Sequence, residues 1–204
     1  MVNICLIWHV GGAEAVYFCN KFRELRILGI DYVPNAFEYF NSNINDALKG
    51  RIRLESGDWY NLDSKLKGCF DGVISLETLS WLEEWKKPID CVIDINPKWM
   101  AFSSLFYDGR INYTIRIEDY EESQSEEGYD VSFYNIYSIP IIRDYLAQCG
   151  YTVFHYKRFD IDIDLPKPLH KGTETYTLKS ETGDRLMISA AMLMPWYFIY
   201  AERE

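Results

Sequence analysis

The sequence predicts an α/β protein built on a doubly wound, mostly parallel sheet, and three observations predict it. Short apolar, β-prone runs alternate with stretches of helical periodicity through the first hundred residues. A glycine or an acid stands at the end of each of the first four runs, where open α/β sheets bind their ligands. The second half turns to period-two alternation with turn signals, which adds an antiparallel strand and hairpin region.

Taken in order, residues 4–8 are apolar, and Gly11-Gly12 breaks them. Residues 13–24 carry Ala13, Val16, Tyr17, Cys19 and Phe22 at roughly helical spacing. "RILGIDYVP" is a short strand ending at Asp31. Pro34 suits the first turn of a helix that continues through "NAFEYFNSNINDALKG" to Gly50. "RIRLESGDWY" is a third strand ending at Asp58, and "FDGVISLE" a fourth ending in Ser75-Leu76-Glu77. "TLSWLEEWKKPIDCVIDIN" reads as a helix interrupted at Pro88. "KWMAFSSLFYDG" is a fifth strand. "RINYTIRIEDYEE" alternates, with Ile111, Tyr113, Ile115 and Ile117 on one face.

The acidic stretch 121–128, "EESQSEEG", reads as a solvated loop. "SIPIIRDYLAQCGY" is an amphipathic helix with Ser138 as cap, Pro140 in the first turn and Gly150 as stop. "TVFHYKRFDIDIDL" reads as a strand that sets Asp160, Asp162 and Asp164 on one face, a solvated edge rather than a calcium loop. "TETYTLKSETGDRLMISA" is a hairpin turning at Thr182-Gly183-Asp184, and "PWYFIYAERE" is a last strand. Neither an internal repeat nor a low-complexity linker divides the chain, so one domain over residues 1–204 is expected.

The bulk properties narrow the partners. A chain of 204 residues with 48% hydrophobic and 16% aromatic content can bury a sizeable core. The formal net charge of -10 argues against nucleic acid and against an anionic membrane surface, and suits a small-molecule substrate. Five scattered cysteines (Cys5, Cys19, Cys69, Cys91, Cys149) form no C-x-x-C pair, and three scattered histidines add no metal-ligand spacing. Reduced thiols in a cytoplasmic protein are expected, with Cys5 and Cys91 in the core. No run approaches the roughly 20 apolar residues of a membrane helix, and no secretory leader is read at the start. A first strand without cover before it leaves a homo-oligomer open.

The strand ends carry the candidate chemistry. Asp31 lies 19 residues after Gly12, the spacing at which an acid accepts hydrogen bonds from both hydroxyls of a ribose. Asp58 follows Gly57 and is placed to accept a bond from an exocyclic adenine amine, with Tyr32 and Trp59 flanking the flat ring. Gly11 and Gly12 are the residues for close backbone approach, and Ser75 ends the fourth strand beside them.

With these residues in place, the chain resembles the class I S-adenosylmethionine-dependent methyltransferases over nearly its whole length. "HVGGAEA", "LGIDYVP" and "ESGDWYN" match that family's glycine loop and its two strand-end acids. "FDGVISLETLSWLEE" resembles its fourth strand and the helix after it. "SIPIIRDYLAQCGY" resembles the helix before strand six, and "PWYFIYAE" its closing strand. "SSLFYDG", "GTETYTLKSETGDRLMISA" and "MPWYF" resemble a bacterial or archaeal small-molecule subgroup. The resemblance implies a seven-stranded Rossmann-like sheet, with a cofactor half over about 1–100 and substrate-side additions over about 105–195. It implies S-adenosylmethionine as cofactor and methyl transfer to a small-molecule acceptor. Aligned through Gly12, the family's acid and first two glycines are replaced by Leu6, Trp8 and Val10, and the covering helix many members carry before strand one has no counterpart.

In-line methyl transfer asks mainly for positioning and desolvation, so no catalytic triad is needed. Tyr134, Asn135 and Tyr137 are candidate substrate contacts because they precede a helix near the cleft. His170 is a candidate base on its Pro-rich loop; His9 in the glycine loop could touch cofactor or cap locally, and His155 reads as a strand residue. Two other readings stand beside this one. A non-catalytic binding or scaffolding domain is favoured by Trp8 and Val10, and a nicotinamide-dependent oxidoreductase shares the strand-two acid but lacks G-x-G-x-x-G.

Overall fold

The computed structural model describes residues 1–7, 12–33, 37, 40, 44–120, 128–169 and 172–204. The five apolar runs of the first half become β1 (Val2–Ile7), β2 (Leu25–Asp31), β3 (Ile52–Ser56), β4 (Gly72–Leu76) and β5 (Trp99–Tyr107). β6 (Arg116–Asp119) and β7 (Asp130–Phe133) pair with each other, and β8 (Tyr137–Ser138) lies beside β5. After β9 (Val153–Arg158) come β10 (Thr175–Lys179), β11 (Arg185–Ser189) and β12 (Met192–Leu193), which form a small antiparallel sheet. β13 (Trp196–Glu202) returns to the main sheet. The helices are α1 (Ala13–Lys21), the single turn α2 (Asp46–Lys49), α3 (Lys86–Ile95) and α4 (Ile139–Gln148).

The main sheet runs β3-β2-β1-β4-β5-β13-β9. β1 to β5 pair in parallel throughout, while β13 is antiparallel to both β5 and β9. The chain therefore steps outward from β1 to β3, crosses back, and starts again at β4 on the other side of β1. That reversal opens a crevice at the carboxyl ends of β1 and β4, the switch point where doubly wound sheets bind ligands.

Both faces of β1 are buried, which is why its apolar run is continuous rather than alternating. Ile4 and Leu6 point to one face, where Ala15 and Cys19 of α1 pack with Ile27, Phe40, Leu48 and Ile52. Cys5 and Ile7 point to the other, against Ile89 and Val92 of α3 and Ile142 and Leu146 of α4. Burial pushes the Cys5 thiol up to about 12, so it packs as a small hydrophobe. A third cluster joins Leu105, Met194 and Trp196 with Trp81, Tyr134 and Met187 under the small sheet. The end of α1 is tied down by Arg51, whose guanidinium donates to the carbonyls of Cys19, Phe22 and Leu25.

The structure departs from the sequence expectations at four places. Pro88 does not interrupt a helix; it sits in the first turn of α3, where its missing N–H costs nothing, and the Glu84 carboxylate accepts from the N–H groups of Lys86 and Lys87. Residues 79–81 before it make a separate short 3-10 turn. The third strand stops at Ser56, and Asp58 caps the 3-10 turn Trp59–Asn61. β9 ends at Arg158, so Asp160, Asp162 and Asp164 share no strand face; Asp164 instead meets Arg185 and Lys179. Of residues 111–117, strand begins only at Arg116, with Tyr113 bridging Ile136. α4 with its Ser138 cap and the hairpin turn at Gly183 (φ 89°) form as the local chemistry dictates. Residues 34–36, 38, 39 and 41–43 of the expected helix after Pro34, and the acidic stretch 121–127, lie outside the described residues; the described end of that helix is α2, capped by Asn45.

Candidate functional site

The sequence-predicted residues that end β1 to β4 line up along the carboxyl edge of the sheet. Gly12 opens α1 in the left-handed region at φ 71°, and a Cβ there would lie 2.4 Å from Cδ2 of Phe40. Glycine is thus required twice over, by the dihedral and by the ring beneath it. Asp31 is buried at 2% exposure and accepts the Val33 N–H at 2.9 Å, while its carbonyl accepts from Gly57 at 2.9 Å. This second bond ties the end of β2 to the turn after β3. Tyr32 beside it is 77% exposed. Asp58 is exposed and accepts the Tyr60 N–H at 2.9 Å, holding its own turn in shape. Ser75 is 1% exposed, and its hydroxyl has no hydrogen-bond partner. Gly11, Trp8, His9, Val10 and His170 lie outside the described residues.

Three predicted residues occupy places that do not fit the roles expected of them. Trp59 is 5% exposed, lies parallel to Phe102 at 6.5 Å, and donates from Nε1 to the Pro88 carbonyl at 2.7 Å. Its faces are in the core, so it cannot flank a ligand ring. Asn135 is fully buried: Oδ1 accepts from Ile115 at 2.9 Å, and Nδ2 donates to the Leu82 carbonyl at 2.8 Å. Its amide also reaches the hydroxyl of Tyr137, which donates to Leu82 in turn. Both side chains are occupied in clamping the loop after the 3-10 turn 79–81 to the bridge at residues 113–136. Burial pushes the Tyr137 phenol well above its usual range, as expected for a hydroxyl that works as a neutral donor. Tyr134, half-buried, stacks on Trp81 at 4.4 Å, and Trp81 meets Trp196 edge-on at 5.9 Å. It buttresses a wall of the cleft described next.

That cleft, of about 460 Å³, opens at the switch point. Its floor is Leu76 and Ser103, and its two acids are Glu14, in the first turn of α1, and Glu77, just past β4. Phe159, Leu165, Met187, Trp196 and Phe198 make the apolar walls. Glu77 adopts a left-handed backbone at φ 57°, with its N–H donated to the Ser103 carbonyl at 2.7 Å. That conformation is uncommon for a residue with a long side chain. Partial burial, and then the negative charge of Glu14, hold its carboxyl above the ordinary range. A ligand here would meet two carboxylates and three aromatic rings. Sequence reasoning marked Glu77 only as a strand end and passed over Glu14, Ser103 and the walls. The signal for Glu77 was its position; the walls come from residues more than eighty positions away.

No family model matches the sequence, and no curated protein does either. Solved structures do match the fold. The N-terminal domain of EvdMO1, solved in the presence of SAH and D-fucose, superposes with a TM-score of 0.59 at 13% identity, over 100% of this chain and 76% of that one. The glycopeptide N-methyltransferase MtfA, complexed with S-adenosyl-L-methionine, gives 0.56 at 8% identity, over 100% and 82%. A Listeria monocytogenes protein assigned as an S-adenosylmethionine-dependent methyltransferase gives 0.56 at 12% identity, over 98% and 91%. Strand order, the reversed β13 and these superpositions agree: the chain has the Rossmann-like fold of the class I S-adenosylmethionine-dependent methyltransferases.

Proposed function

We propose that this protein transfers a methyl group from S-adenosylmethionine to a small-molecule acceptor. The observation that carries the reading is the placement of Gly12, Asp31, Asp58 and Ser75 at or just past successive strand ends around the switch point. The residues fit the cofactor. Gly12 opens α1 at this edge, and Asp31 would accept hydrogen bonds from the two hydroxyls of a ribose. Tyr32, whose ring is exposed, would stack on the adenine without Trp59, and Asp58 would accept from the adenine amine. The Ser75 hydroxyl is a buried polar group without a partner, which a ligand at this edge would satisfy. When bound, the cofactor supplies an already activated methyl group; the protein's own share is to hold both reactants in line and dry.

The test is calorimetric titration of the purified chain with S-adenosylmethionine and with S-adenosylhomocysteine, with Asp31→Ala as control. Micromolar binding that the substitution abolishes supports the reading. No binding at millimolar ligand rejects it and favours a scaffolding domain on the same fold.

A further inference from the structure

The same cleft holds features that methyl-donor binding leaves unused. Among the described residues, four buried side-chain atoms lack a hydrogen-bond partner, and two of these, Glu14 Oε2 and Trp196 Nε1, belong to its lining. One is an acceptor when ionised and the other only a donor, so each needs a different kind of partner. Leaving either buried and unmade costs about 1–3 kcal/mol. Trp196 is 7% exposed, so its indole N–H is closed off from bulk water. Among the described residues, no Lys, Arg or His lines the cleft to neutralise Glu14 and Glu77. The lining also carries Phe159 and Phe198, 38% and 44% exposed, meeting edge-to-face at 5.7 Å. Exposed rings and two carboxylates without a cationic neighbour among the described lining residues, in a volume of about 460 Å³, describe the complement of one ligand type.

Resting on the methyltransferase reading above, we propose that the methyl acceptor is a primary or secondary amine on a flat aromatic body. Its ammonium group is held by Glu14 and Glu77, and its ring lies against Phe159, Trp196 and Phe198. An N–H of the amine donates to Glu14 Oε2, and an acceptor atom on the body meets the Trp196 N–H. The ammonium gives one proton to the Glu77 carboxylate, which passes it to solvent. The freed nitrogen lone pair then bonds to the donated methyl carbon. The carbon–sulfur bond breaks with its electron pair left on sulfur, so the positive charge moves from sulfur to nitrogen.

The experiment is calorimetric titration of the full chain with 2-phenylethylamine, tyramine and 2-phenylethanol, each with and without S-adenosylhomocysteine. Release of S-adenosylhomocysteine from S-adenosylmethionine is followed in parallel. The amines are expected to bind at least tenfold tighter than the alcohol, and only they should be methylated. Glu77→Gln and Glu14→Gln should each weaken amine binding about tenfold while S-adenosylhomocysteine affinity stays within twofold. Trp196→Phe should weaken tyramine, whose phenol oxygen can accept, more than 2-phenylethylamine. Equal binding of amine and alcohol, with S-adenosylhomocysteine bound normally, overturns the acceptor class and leaves the methyltransferase reading standing. A matching loss of S-adenosylhomocysteine affinity in the Gln variants also overturns it, by assigning the acids to the donor's own ammonium. Failure of S-adenosylhomocysteine to bind the unsubstituted chain overturns the methyltransferase reading itself and the acceptor role with it.

Discussion

Replacing Asp31 by Asn separates what this residue does for the fold from what it would do for a cofactor. In the structure Oδ1 accepts the Val33 N–H at 2.9 Å, a bond that an Asn carbonyl oxygen can keep. The amide of the Asp31→Asn variant would still offer a ribose an acceptor, but without charge. Hydrogen bonds to charged groups contribute about 1.5–3 kcal/mol against about 0.5–1.5 for neutral ones. Two ribose hydroxyls therefore lose about 2 kcal/mol between them, close to a thirtyfold drop in affinity. Asp31→Ala loses the whole interaction and also strands the half-buried Val33 N–H, adding about 1 kcal/mol of destabilisation. The assay is paired: titration with S-adenosylhomocysteine for affinity, and thermal melting for stability. The expected pattern is weakened binding with a near-native melting temperature for Asp31→Asn, and loss of both for Asp31→Ala. An Asp31→Asn variant that binds within twofold of the native chain refutes the ribose assignment, because no rearrangement of a 2% exposed side chain would restore the missing charge.

Further outcomes follow from the same structure. Gly12→Ala meets both left-handed strain and the Phe40 ring 2.4 Å away; about 2–4 kcal/mol of destabilisation is expected, seen as a melting temperature lower by roughly 5–15 °C. Asn135→Ala orphans the Ile115 N–H and leaves the Leu82 carbonyl with the Tyr137 hydroxyl alone, and should cost about 1–3 kcal/mol in urea unfolding; a stable variant that fails to bind acceptor would return Asn135 to the ligand. Trp59→Phe removes the bond to Pro88 and should cost about 1–2 kcal/mol while leaving cofactor affinity within twofold. Glu77 is a carboxyl raised in the folded state, so the folded protein holds more of that proton than the unfolded chain. Its stabilising effect is present below the ordinary Glu value and is lost as pH climbs through the raised one. Glu77→Gln should therefore melt higher than the native chain near pH 7, and the gap should close below pH about 4.5; a gap that widens in acid reverses the sign and the argument.

How much of this was legible in the sequence depends on whether a feature is set locally or by a distant partner. α4 with its Ser138 cap, and the Gly183 turn, are local, and each could be read from a few residues. The ends of β2 and β4 were legible to within a residue because apolar runs stop where the sheet's edge meets water, whereas β3 stops two residues short of Asp58. Trp59 was not, because an aromatic after a strand-ending acid looks the same whether it faces out or in. The 3-10 turn capped by Asp58 rolls it inward onto Phe102. Residues 159–165 alternate like a strand, yet β9 ends where its register with β13 runs out, at Tyr197 opposite Arg158. A strand needs a neighbour, and the sequence pattern alone carries no record of how far that neighbour extends.

The cleft was hidden for the same reason: its acids come from the first half and its rings from residues 159–198, joined only because β13 runs back beside β5. What marks it as a site is the clustering of broken local rules. Among the described residues, three that are not glycine have positive φ. Asn96 is the cap of α3 and Ala190 the turn between β11 and β12, both ordinary places for that conformation. Glu77 terminates no helix and makes no hairpin, yet it holds a charged side chain there. Two of the four orphaned buried atoms among the described residues share its cleft, and a third, Ser75 Oγ, lies two residues before it on β4. Independent errors of packing would scatter over the molecule; costs gathered at a topological switch point are the mark of a surface shaped for a ligand rather than for the fold.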